Sequence, residues 1–141
     1  MASIREQILT AMVATLNAGA GVGATVYRSR ATALNRAEFP AVVLEPVGDA
    51  ATDNVHTKTD WNLTVRIAIL VKSETPDQAA DAILVAVHEA VMSNTTWGGL
   101  AMDTAPSTVN WDLIEADVTT GIVPAAYMVQ YRTDQQHLDQ V

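Results

Sequence analysis

The chain has 141 residues, 49% of them hydrophobic and 17% charged, which fits one globular domain around one core rather than a disordered polymer. A formal net charge of −8 argues against a surface that holds DNA or RNA by neutralising phosphates. The absence of cysteine excludes disulfides and thiolate metal sites, and no apolar run of about 18 residues is long enough to suggest a membrane helix. The N-terminal Met1-Ala2-Ser3-Ile4-Arg5-Glu6 lacks the apolar stretch of a signal peptide.

Ser3 can cap a helix, with Glu6 three residues on completing a capping box. Ile4, Ile8, Leu9, Met12, Val13 and Leu16 follow at helical spacing, and the helix should end near Asn17. Gly19-Ala20-Gly21-Val22-Gly23 reads as a flexible connector. It is no phosphate loop, because a dinucleotide fingerprint needs a strand before it and a helix after it. Thr25-Val26-Tyr27-Arg28 reads as a short strand, and the small and polar residues from Ser29 to Glu38 as a loop.

Pro40 fixes its own φ and pushes Phe39, the single Phe of the chain, toward an extended conformation. Ala41-Val42-Val43-Leu44 then enters a strand expected to run to about Gly48. Gly48 to Asn54 carries turn chemistry. Trp61, Leu63, Val65, Ile67, Ile69 and Val71 alternate on one face of the next strand, with Asn62, Thr64, Arg66 and Lys72 on the other. These two strands are expected to form an antiparallel hairpin with a long tip around residues 49–59.

Thr75-Pro76-Asp77-Gln78 signals a helix start, with Thr as cap and Pro at the first helical position. Ala80, Ile83, Leu84, Val87, Val91 and Met92 make its buried stripe, and Asn94 and Gly98-Gly99 lie past its end. Thr95 to Pro106 reads as a loop carrying Trp97. Val109, Trp111 and Leu113 alternate in a late strand, then Ile114, Ala116 and Val118 continue on the opposite parity, which implies a bulge or bend. Thr119-Thr120-Gly121 turns the chain into a last strand with Ala125, Tyr127, Val129 and Tyr131. Residues 133–141 form a polar, exposed tail within the single domain 1–141. The order α-β-β-β-α-β-β gives an α+β fold, two helices packed on one face of a mostly antiparallel sheet.

No catalytic, cofactor or metal constellation emerges. His56, His88 and His137 are far apart in sequence, and none has metal-ligand spacing with another. His88-Glu89 reads as a helix side facing solvent or a partner. Asp112, Glu115 and Asp117 crowd one strand region, and an acidic sheet face accounts for them better than acid–base chemistry does. Arg28, Arg30 and Arg36 gather near one end, either as solvated loop charges or as anchors for a neighbouring subunit. Trp97, in its Gly-flanked loop, is either an interface anchor or a lid over the chain's own core. Asp53 and His56, in the hairpin tip, are further candidate contacts with a subunit or partner.

From Ile4-Arg5-Glu6-Gln7-Ile8-Leu9, through Thr25-Val26-Tyr27, Ala37-Glu38-Phe39-Pro40-Ala41-Val42, the Gly48-Asp49 turn, the Trp61–Val71 strand and the Pro76-Asp77 helix start, to Ala126-Tyr127-Met128-Val129-Gln130-Tyr131, the chain resembles the tail terminator proteins of long-tailed phages. These are the minor tail protein U family of lambda-like viruses. The resemblance implies a non-enzymatic structural protein of the virion, assembled in the host cytoplasm and placed at the head-proximal end of the tail. It implies a homo-hexameric ring that caps the tail tube, ends its polymerisation and offers a surface to the head–tail connector. DNA would pass through the lumen without specific binding, and negative charge suits such a lumen because it repels phosphate. It implies no cofactor and no membrane partner. Another head–tail joining or tail-completion protein is the nearest rival. A small acidic ligand-binding domain is a third reading, and it requires a pocket of convergent polar groups.

Overall fold

The computed structural model describes residues 2–18, 21–29, 39–111 and 120–141. Two helices, α1 (Ile4–Asn17) and α2 (Pro76–Met92), accompany strands β1 (Thr25–Arg28), β2 (Ala41–Val55), β3 (Lys58–Lys72), β4 (Asp103–Val109) and β5 (Thr120–Asp134). The expected element order is therefore observed. The strands form one sheet in the order β1-β2-β3-β5-β4, with β1 parallel to β2 and every other pairing antiparallel.

The alternation in β3 decides which way the sheet faces. Leu63, Val65, Ile67, Ile69 and Val71 are buried, and so are Val123, Ala125, Tyr127, Val129 and Tyr131 of β5 across the ladder. Ile4, Ile8, Leu9, Met12 and Leu16 of α1 and Ala80, Ile83, Val87 and Val91 of α2 close over this one face as a single core cluster. Each fully buried Leu, Ile or Val contributes about 1.5–3 kcal/mol of transfer free energy, so this stripe holds the helices on the sheet.

Several expectations change in detail. Ser3 Oγ accepts the Glu6 amide at 3.1 Å as a cap should, but the Glu6 carboxylate binds Arg28 instead of reaching back to Ser3. Thr75 makes no side-chain cap, and its own amide donates to Ser73 Oγ at 3.1 Å. The Phe39–Pro40 peptide is cis, and β2 begins directly after it.

β2 does not stop near Gly48. It stays paired with β3 as far as Val55 opposite Lys58, leaving only His56 and Thr57 as the turn. The long tip loop is thus a ribbon. Pro46 cannot donate to a ladder, and register shifts at Pro46/Gly48 and Ala51/Asp53 absorb the irregular residues, so the turn-like chemistry of Gly48-Asp49 makes a bulge rather than a turn.

β4 runs over Asp103–Pro106, expected to be loop, and ends at Val109, where the late strand was expected to begin, so Trp111 lies outside any strand. β4 is an edge strand, exposed at every position but Thr104 and broken by a register shift at Pro106/Thr108. A Pro and a bulge on an exposed edge disfavour pairing with a further strand. β5 begins earlier than expected, at Thr120, and Thr133 belongs to it and is buried, not part of a frayed tail. The tail itself folds back. Leu138 C=O accepts the Ile4 amide at 2.8 Å, Gln140 C=O accepts the Asp134 amide at 2.7 Å, and Thr57 C=O accepts the Gln135 amide at 2.7 Å. The expected strand residues Leu113, Ile114, Ala116 and Val118, the acidic trio Asp112, Glu115 and Asp117, and most of the Ser29–Glu38 loop lie outside the described residues.

Candidate functional site

Arg28, at the end of β1, donates from both terminal guanidinium nitrogens to the Glu6 carboxylate at 2.9 and 2.7 Å. That hydrogen-bonded pair holds the Glu6 carboxyl below its ordinary value and raises Arg28. The fork is spent pinning α1 to β1 within the chain. Arg30 and Arg36 lie outside the described residues.

Trp97 is a lid over the chain's own core. Its ring is 2% exposed, and Nε1 donates to Thr104 Oγ1 at 2.8 Å. That hydroxyl in turn donates to the Thr95 carbonyl at 2.8 Å. Gly98 and Gly99 have φ of 73° and 93°, values that turn the chain sharply enough to fold the indole inward. An exposed Trp97 anchor is therefore not what the loop presents.

Asp53 and His56 are both exposed and share the far end of the β2–β3 ribbon, with His56 at φ 58° in the turn. Arg28 instead flanks Leu44 of β2. At about 3.3 Å per residue, the nine steps from Leu44 to Asp53 separate the two groups by roughly 30 Å. The structure thus divides the candidates between two ends of the sheet.

The ribbon end is tied down by paired charges and rings. Arg132 grips Asp60 at 2.6 and 3.1 Å and lowers its carboxyl, Arg66 pairs with Glu45, and Lys58 lies 3.9 Å from Asp134. Trp61 stacks on Tyr131 at 6.4 Å and donates from Nε1 to Thr133 Oγ1 at 3.0 Å. The Tyr131 hydroxyl donates to Asp49 at 3.1 Å, and Arg5 lies 3.8 Å from the same carboxylate. Burial, reinforced by that carboxylate, pushes the Tyr131 phenol well above its ordinary range.

The opposite edge has different chemistry. α2 packs over β3 and β5 and reaches β4 only slightly, leaving a groove of about 380 Å³ beside the edge strand. Leu84, Val85 and His88 of α2, Pro106 and Val109 of β4 and Tyr127 of β5 line it. His88 Nδ1 sits 3.0 Å from the Tyr127 hydroxyl, so the floor's polar atom is occupied, and His88 faces a strand as well as solvent. One helical turn or so further toward the N-terminus of α2, Asp77, Gln78, Asp81 and Trp111 border a second depression of about 320 Å³. Trp111 is 44% exposed and Val85 52%. Trp111, not Trp97, is the open indole of this edge. In the sequence it stands only as one member of a strand alternation.

A third cavity, of about 570 Å³, lies between Phe39, Lys72, Glu74 and Ile83, with Lys72 Nζ 5.7 Å from the Phe39 ring. Among the described residues, no group of three or more His, Asp or Glu side chains is gathered to hold a metal ion.

The model of the phage minor tail protein U family matches residues 2–131. The chain belongs to that family. This phage tail protein is accordingly a structural part of a virion, built on the α+β sheet described above. A chain in the solved virion of a native gene transfer agent particle has the same fold, with a TM-score of 0.66, 11% identity, 94% of the tail protein covered and 99% of the other chain. No curated protein matches the tail protein in sequence.

Proposed function

We propose that this tail protein forms a homo-hexameric ring that caps the tail tube, ends its polymerisation and presents a surface to the head–tail connector. In this reading it works at the head-proximal end of the virion tail after assembly in the host cytoplasm. DNA passes through the lumen without being held, and the protein contributes geometry rather than catalysis.

The observation that carries the reading is the asymmetry of the sheet. A ring needs a head-to-tail interface, in which two different surfaces of one chain meet. The order β1-β2-β3-β5-β4 puts two unlike edges on one subunit. One edge is β1, which pairs only with β2. The other carries the short, Pro-blunted β4 and an apolar groove beside α2. The charge distribution supports the lumen: Glu74, Asp77, Asp81 and Glu89 of the α2 region are all exposed and enter no ion pair among the described residues. Unpaired carboxylates repel phosphate.

Light scattering coupled to size exclusion, with negative-stain images, tests the proposal. Sixfold rings are expected from concentrated protein or at the ends of purified tail tubes, and added protein should halt tube growth. A chain that stays monomeric at every concentration and ignores tube ends overturns it.

A further inference from the structure

We propose that the C-terminal loop from Asp134 to Gln140 is a releasable strap that locks the turn of the β2–β3 ribbon, and so fixes how Asp53 and His56 are presented. That the ribbon end meets a neighbouring subunit or partner rests on the ring reading; the strap itself does not.

The loop is closed on itself and tied at both ends. The Asp134 amide donates to the Gln140 carbonyl, the Gln135 amide to the Thr57 carbonyl of the ribbon turn, and the Ile4 amide of α1 to the Leu138 carbonyl. The Asp134 side chain organises the loop. Its Oδ1 accepts the Gln136 amide at 2.9 Å and lies 3.3 Å from His137 Nδ1, and its Oδ2 lies 3.9 Å from Lys58 Nζ. Asp134 stands at the ribbon end opposite Lys58, whereas Leu138 shares a small cavity with Ser3, Trp61 and Tyr131. The loop therefore runs back along the helix-bearing face. It passes Thr59 and Thr133, a cross-strand pair two residues beyond Trp61 and Tyr131 that is 7% and 1% exposed.

The turn is what needs holding. His56 has φ 58°, a left-handed value that costs a non-glycine residue energy and persists only where neighbouring contacts fix it. The Gln135 amide supplies such a contact at the next residue, Thr57. Register shifts at Pro46/Gly48 and Ala51/Asp53 interrupt the β2 ladder, whereas β3 and β5 keep one register from Lys58–Asp134 to Lys72–Thr120. The outer half of β2 and the turn are thus the part that loosens when the strap lets go. The strap is lightly held. Leu138 is 57% exposed and Val141 61%, and no residue of the core cluster lies beyond Tyr131. Main-chain bonds and one carboxylate, rather than apolar burial, keep it in place, as in segments that open without global unfolding.

Hydrogen exchange read by mass spectrometry on the monomeric full chain tests the strap. Gln135→Pro deletes the donor to Thr57, and Asp134→Ala deletes the acceptor that organises the loop. Each should speed exchange over residues 48–57 about tenfold or more, with residues 63–71 unchanged and the melting temperature within a few degrees. His56→Gly removes the left-handed penalty, so in that background Gln135→Pro should speed exchange by less than about threefold. Unchanged exchange over 48–57 in both single variants overturns the strap. Equal acceleration over 63–71 overturns it too, since the loop would then belong to the global fold. A wild-type chain that never assembles overturns the ring reading and leaves the strap standing, because exchange is measured on the monomer.

Discussion

Replacing Trp97 by alanine removes an indole that is 2% exposed and sits among buried side chains of the single core. Truncating a buried Trp costs about 3–5 kcal/mol through lost transfer free energy and the cavity left behind. Thr104 Oγ1 still donates to the Thr95 carbonyl, but it loses the indole N–H it accepts. A lost hydrogen bond adds about 1 kcal/mol where water does not replace it. At roughly 2.1 cal/mol/K of unfolding entropy per residue, the chain unfolds with about 0.3 kcal/mol/K. A loss of 4 kcal/mol therefore lowers the melting temperature by roughly 13 °C. Urea unfolding followed by circular dichroism measures the same quantity, and the m-value should stay close to that of the wild type. Trp97→Phe keeps a ring and loses only the donor, so it should cost less than half as much as the alanine variant. A Trp97→Ala monomer as stable as the wild type, with assembly abolished, would refute the lid and restore Trp97 as an outward-facing anchor.

Glu6→Gln should change stability mainly with pH. Because the folded-state Glu6 carboxyl lies below its ordinary value of 4.5, its contribution is present above that value and lost as pH falls through the lower folded value. The variant should therefore show a flatter fall in stability below about pH 4.5, with a total effect under about 1 kcal/mol because the pair is partly exposed; an unchanged slope in acid melts counts against the Arg28 pairing. Tyr131→Phe removes the donor to Asp49 and should cost about 1 kcal/mol at neutral pH, read by thermal melting. A Tyr131→Phe chain more stable than the wild type would show that the hydroxyl is not needed at the ribbon base.

What the sequence showed follows from what burial constrains. Leu63 to Val71 were legible as a strand because one face is fully buried, and a one-residue slip would have exposed all of it. α1 and α2 were legible for the same reason at helical period. The outer half of β2 was not. Ala50 to Asn54 are exposed and polar or small, and they are strand only because β3 continues beside them. β4 was missed in the same way: Asp103 to Val109 is an edge whose sequence needs no apolar alternation. The sequence left Trp97 open between lid and anchor and gave Trp111 only a strand position, because the fate of each depends on tertiary partners. Thr104, seven residues on, gives Trp97 an acceptor, while Trp111 lies against α2. Arg28 looked like a surface cation until its partner 22 residues earlier was known.

β3 lies between β2, its neighbour in sequence, and β5, whose Asp134 pairs with Lys58 across 76 positions. The first amide of α1 likewise finds its acceptor at Leu138. During synthesis, the central ladder therefore has no second side until β5 has left the ribosome. A shortened product ending before β5 would leave β3 as a long open edge and α2 without its floor. Translation has to reach the last strand before the subunit can fold, and contacts this distant in sequence make that closing step slow.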